Sequence, residues 1–132
     1  MSKIAKKIKI FCHSNDDNLV SSFRELFETK GKITTTNFAS DLIKKLKSKI
    51  YFDIVIIDLE IKINEILAEL LNYRNKNKSS FIIILYSYRF NEPVTEGMIR
   101  KSVDTFFYKP VSIEDVVKLV EQKMDLLILK GK

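Results

Sequence analysis

Four places in the sequence put polar residues where chemistry can be done. Asp58 closes the apolar run Ile54-Val55-Ile56-Ile57. A carboxylate in that position can be a nucleophile, a ligand for a hard cation, or only the cap of the next helix. Ser87 follows a second run, Ile82-Ile83-Ile84-Leu85-Tyr86, and Lys109-Pro110 follows a third, Phe106-Phe107-Tyr108. A polar stretch, His13-Ser14-Asn15-Asp16-Asp17, follows a fourth at residues 8–12. Taken singly, these residues have plain structural readings, Lys109 as a loop lysine and Phe106 as core, while Ser87 alone says almost nothing. Cys12 and His13 are chain neighbours, so on a strand they point to opposite faces and read as structural.

The elements that must position these residues follow from hydrophobic periodicity. Five apolar runs rich in Ile, Val, Phe and Tyr occur at residues 8–12, 33–36, 54–57, 81–85 and 105–108. The third and fourth are continuous rather than alternating, as in parallel strands covered on both faces. Between them lie helical patterns. Leu19, Val20, Phe23, Leu26 and Phe27 keep helical spacing behind the capping group Asp16-Asp17-Asn18, and Gly31 reads as the stop of that helix. A second helix spans about 40–48 and a third carries Ile66, Leu67, Leu70 and Leu71. A fourth starts at Pro93, and a fifth starts after Pro110 with Ser112 and Asp115 as a capping pair. The fifth presents Val116, Val117, Val120, Met124 and Leu127 inward, with Leu119, Leu126 and Leu129 off that stripe. The alternation predicts an α/β fold, a doubly wound parallel five-stranded sheet. In such sheets ligands gather at the carboxyl ends of the strands, where all four polar places fall.

Composition narrows the classes. The chain has 132 residues, a length suited to one domain over 1–132. One cysteine and one histidine exclude a disulfide framework, a Cys-rich zinc site and a His-based metal cage. The net charge of +6 is spread along the chain in lysine pairs without aromatic interleaving, which disfavours nucleic acid as the partner. No apolar run approaches the roughly 20 residues needed to span a bilayer. Lys9 breaks the N-terminal apolar stretch, so no signal peptide is read and a cytoplasmic location is expected.

The arrangement of Asp58 in VIIDLE, Ser87, Phe106 and Lys109-Pro110 resembles the receiver domain of two-component response regulators, over nearly the whole chain. The spacings, 29 residues from Asp58 to Ser87 and 22 from Ser87 to Lys109, suit that family. The resemblance implies a flavodoxin-like receiver fold with strand order 2-1-3-4-5. It further implies a stand-alone signalling protein with no output domain, and not an ordinary enzyme, although it would assist its own phosphorylation and dephosphorylation. A histidine kinase or phosphotransfer protein would phosphorylate Asp58, Lys109 would neutralise phosphoryl oxygens, and Ser87 and Phe106 would form the switch. A downstream target, or a second copy in a homodimer, would dock on a face built from the fourth helix, fifth strand and fifth helix, where Leu119, Leu126 and Leu129 suggest an interface.

Several positions depart from the family. Its two metal-holding acids after the first strand fall on Ser14 and Asn15, with Asp16 next. Mg²⁺, held by Asp58, by Asp16 or Asn15 and by the Glu60 backbone carbonyl, would therefore bind weakly, because the ion sheds water only in exchange for charge. Ile61-Lys62 replaces a usual Met-Pro, Ile66 a usual glycine, and Tyr88 follows Ser87 where a small residue is common. The runner-up expectation is thus a pseudo-receiver, an interaction module that is not phosphorylated. A flavin-binding electron carrier of the same architecture is disfavoured, since two acids in the first loop would repel a phosphate.

Overall fold

A computed structural model describes residues 8–60, 63–87 and 93–130, without the side chains of residues 63, 87 and 130. The order is β1 (Ile8–His13), α1 (Asp17–Phe27), β2 (Gly31–Thr36), α2 (Ala39–Lys47) and β3 (Ile54–Asp58). A single 3₁₀ turn (Ile63–Glu65) precedes α3 (Leu67–Lys76), followed by β4 (Phe81–Ser87), α4 (Pro93–Ser102), β5 (Thr105–Lys109) and α5 (Ile113–Lys130). The strands form one sheet in the order β2-β1-β3-β4-β5, every pairing parallel, as the sequence pattern and the resemblance predict.

Strand composition and position agree. The continuous run of β3 lies in the middle of the sheet and is buried throughout, whereas Thr-rich β2 forms an edge and is mostly half-buried. Alternation along the strands divides the core into two layers. Phe11, Val55, Ile57, Ile82 and Ile84 pack with Leu42 and Leu46 of α2, Leu70 and Tyr73 of α3 and Ile99 of α4. Ile10, Cys12, Ile54, Ile56 and Ile83 pack with Phe23 and Phe27 of α1 and Val116, Val120 and Met124 of α5. No helix among the described residues is long and apolar enough to cross a membrane.

Two expectations change. Leu119 is half-buried and packs on the second core layer, so of the three leucines read as interface residues only Leu126 and Leu129 are exposed. The third helix carries Leu67, Leu70 and Leu71 as expected, with Ile66 at its N-cap, the 3₁₀ turn ahead of it and Tyr73 as a buried anchor. Gly31 is not a left-handed helix stop: α1 ends in a right-handed cap at Glu28, and Gly31 is the first residue of β2.

The reason for glycine at residue 31 is close approach. A Cβ there would sit 2.5 Å from the backbone oxygen of Ile8, which belongs to the neighbouring strand and cannot swing aside. Gly31→Ala should therefore destabilise the fold by about 1–3 kcal/mol, as overpacking does in a tight interior. Urea unfolding with an unchanged denaturant slope would register the loss, and a variant as stable as the parent would show that β2 simply shifts outward.

Candidate functional site

Asp58 ends β3 and is only 6% exposed. A carboxylate that buried needs compensation, because desolvation favours its neutral form. Two groups provide it. Lys109 Nζ lies 2.7 Å from Oδ1, and the Ser14 hydroxyl donates to Oδ2 at 2.6 Å. Glu60, two residues past Asp58 and exposed, also pairs with the Lys109 ammonium. One lysine therefore serves two carboxylates.

The topology explains why these residues meet. His13 is in register with Ile57, so Ser14, the next residue on, arrives beside Asp58. The Ser14 backbone N–H donates to the Thr36 carbonyl at 3.1 Å, and its Oγ accepts from the Asp16 N–H at 3.0 Å, which fixes the hydroxyl. Lys109 ends β5, one strand beyond β4, with Ser87 as its register partner, and its length carries the ammonium back to β3. The Lys109-Pro110 peptide is cis.

His13, Asn15, Asn37, Phe38, Ala39, Asp58 and Glu60 line an open cavity of about 210 Å³. His13, read from the sequence as structural, thus borders the site. Its Nδ1 is 2.8 Å from the Thr36 hydroxyl. Burial pushes its pKa down and the charges of Asp58 and then Asp41 push it back up, with burial the larger effect, so the ring is neutral at pH 7. Cys12 faces the other core layer, and its thiol is pushed up to about 12 by burial first and the charge of Asp58 second. It is an unreactive thiol at neutral pH.

The expected residues divide as follows. Asp58 and Lys109 meet directly, and Asn15 lies exposed on the cavity rim. Asp16 does not take up a metal-facing position: its Oδ1 accepts from the backbone N–H of Asn18 at 3.0 Å and of Leu19 at 3.4 Å, capping α1. Helix capping takes that carboxylate because the orphan donors of the first turn are the nearest hydrogen bonds open to it. Phe106 packs its ring edge-on to Tyr86 at 6.0 Å and Tyr108 at 5.4 Å, with the Arg100 guanidinium 4.4 Å from its centre. The side chain of Ser87, and residues Ile61, Lys62 and Tyr88, lie outside the described residues. The Ser14–Asp58 bond and the Glu60–Lys109 pair were not read from the sequence. The only signal for them was chain proximity to a strand end.

The donors present make a poor site for a divalent cation. Mg²⁺ asks for carboxylate oxygens it can approach directly. Here Asp16 is spent on the helix cap and Ser14 is neutral, so Asp58 is left as the one carboxylate beside neutral Asn15 and the Glu60 carbonyl, with the Lys109 ammonium on Asp58 repelling a cation. Among the described residues no three His, Cys, Asp or Glu side chains cluster in a way that could hold a metal ion.

No family model matches this sequence, and no curated protein is significantly similar to it. Solved structures do match. A response regulator receiver domain protein (CheY-like) from Methanospirillum hungatei JF-1 superposes with a TM-score of 0.70 over 96% of this chain and 100% of that one, at 16% identity. The BeF3-activated receiver domain of DrrB, an OmpR/PhoB homologue of Thermotoga maritima, gives 0.68 over 91% and 99%, at 18% identity. A structure described as an adenylate cyclase from Rhodopirellula baltica gives 0.67 over 95% of both chains, at 16% identity. At such identities the likeness concerns architecture: the chain has the flavodoxin-like receiver fold of response regulators. One fold carries many activities, so function must be argued from the site.

Proposed function

We propose that this chain is a receiver-type signalling module that works by binding protein partners, with Asp58 serving as a structural anchor rather than a phosphate acceptor. The observation that carries this reading is the company of the carboxylate: a neutral hydroxyl, Ser14, bonds it, and no second acid turns toward it. In-line attack on a phosphoryl donor needs positive charge on the transferring group, which a hard cation held by neighbouring acids would supply beside the lysine. Here the Ser14 hydroxyl holds one oxygen at 2.6 Å and the Lys109 ammonium the other at 2.7 Å. The acids that would bring a hard cation are replaced or turned away.

A second reading keeps phosphorylation by a dedicated kinase. It is supported by the Asp58–Lys109 pair, since a lysine fixed beside the carboxylate is also what a transferred phosphoryl group requires. In either case the partner face would be α4, β5 and α5, with Val94, Met98, Leu126 and Leu129 among its exposed apolar residues.

Acetyl phosphate with and without Mg²⁺, followed by intact-mass spectrometry, separates the two. The anchor reading expects no phosphoryl adduct on the parent protein under conditions that label an ordinary receiver. A stoichiometric adduct that disappears in Asp58→Asn would replace it with the phosphoacceptor reading.

A further inference from the structure

At the other end of the sheet from Asp58, three lysines gather without a salt-bridge partner among the described residues. Lys9 and Lys32 are register partners on β1 and β2, so both side chains leave the same face, shared two residues on by Thr34. Lys45 of α2 joins them, and these four residues line a cavity of about 240 Å³ with Ile50 and Phe52. A water occupies roughly 30 Å³ of the liquid, so this space takes a ligand of several heavy atoms.

Like charges side by side on neighbouring strands are destabilising. Lys9 and Lys32 are exposed, so water screens part of the repulsion, but among the described residues none of the three ammoniums forms a salt bridge. Asp53, beside this end of β1, uses Oδ2 to accept the Lys9 backbone N–H at 2.8 Å. Lys45 suits the C-terminal end of the α2 dipole, but that reason does not extend to two lysines on strands.

We infer that this cavity binds a small molecule bearing a phosphate or pyrophosphate group. The three ammoniums would neutralise its oxygens, the Thr34 hydroxyl would donate to one of them, and Ile50 would wall the less polar part. A nucleic-acid strand fits less well. Single-strand sites stack bases on open aromatic faces, whereas Phe52 is buried and already stacked on Phe11 at 5.1 Å between ring centres.

The test is a titration of the isotope-labelled chain with sodium pyrophosphate, followed by amide NMR, and a parallel titration with a short single-stranded RNA. Saturable shifts at Lys9, Lys32, Thr34 and Lys45, and none at Ser14, Asp58 or Lys109, are expected. The double variant Lys32→Gln, Lys45→Gln should weaken pyrophosphate by about tenfold or more. Lys101→Gln, on exposed α4, should leave the affinity unchanged. The amide spectrum away from the cavity reports that the double variant is still folded. Shifts that never saturate, that spread over the lysine surface, or that weaken equally in Lys101→Gln would overturn the inference. So would RNA binding at these residues without a pyrophosphate response, which would make the patch a nucleic-acid face.

Discussion

Ser14→Asp is expected to show a Mg²⁺ response, and the parent none. The parent hydroxyl donates to Asp58 Oδ2 at 2.6 Å, so an aspartate there sets a second carboxylate against a buried one. At an effective dielectric of 20, two like charges about 4 Å apart repel by roughly 4 kcal/mol. Lys109 cannot cancel that, because it already serves Asp58 and Glu60. Without metal the variant should be markedly less stable than the parent. With Mg²⁺ the same pair becomes a ligand set, and binding to the native state alone adds about 2.7 kcal/mol at a hundredfold excess over Kd. Thermal unfolding by circular dichroism at increasing Mg²⁺ should show a rising midpoint for Ser14→Asp and a flat one for the parent. If the parent midpoint rises equally, the residues already present hold the ion and the anchor reading of Asp58 loses its main support.

Arg74→Ala should produce the largest loss of stability of any single surface-accessible change. The guanidinium donates from Nε to the Ser102 carbonyl at 2.6 Å and from Nη1 to the carbonyls of Ser80 at 2.9 Å and Lys78 at 3.1 Å. Nη2 meets Asp104 Oδ2 at 2.6 Å, and the same oxygen accepts the Ile82 N–H at 2.7 Å. One side chain thus ties the end of α3, the turn into β4 and the link from α4 to β5. The ion pair itself contributes little, since Asp104 is over a third exposed and water screens it. The carbonyls carry the effect: several acceptors lose a charged donor at once, which costs about 3 kcal/mol. Arg74→Lys keeps the charge but not the planar fork, and should recover less than half. Urea unfolding measures both, and a loss under about 1 kcal/mol in Arg74→Ala would mean that water replaces the guanidinium freely.

The two sites were not equally legible in the sequence. The ends of β3 and β5 were, because an aspartate or a lysine-proline directly after a buried apolar run is a local feature. The Arg74 hub was not, since its acceptors are backbone carbonyls, which leave no trace in residue types. The interface reading of Leu119 failed for a related reason. Helical spacing assigns a stripe, but α5 lies on a sheet wide enough to bury residues beyond it.

The sequence by itself determined the alternation of strands and helices, the parallel sheet and the strand tips at which Asp58 and Lys109 stand. Those follow from hydrophobic periodicity, which is a property of neighbours along the chain. Tertiary structure decided what those residues do to one another. Asp16 could have turned toward Asp58 or toward its own helix, and the free N–H groups of the first turn of α1 settled it. Ser14 could have been a loop serine until β1 and β3 came into register and set its hydroxyl against a carboxylate. Gly31 read as a helix stop, while its actual constraint is the Ile8 carbonyl of a strand more than twenty residues earlier. Each of these depends on distances between segments far apart in sequence, and only the packed sheet fixes them.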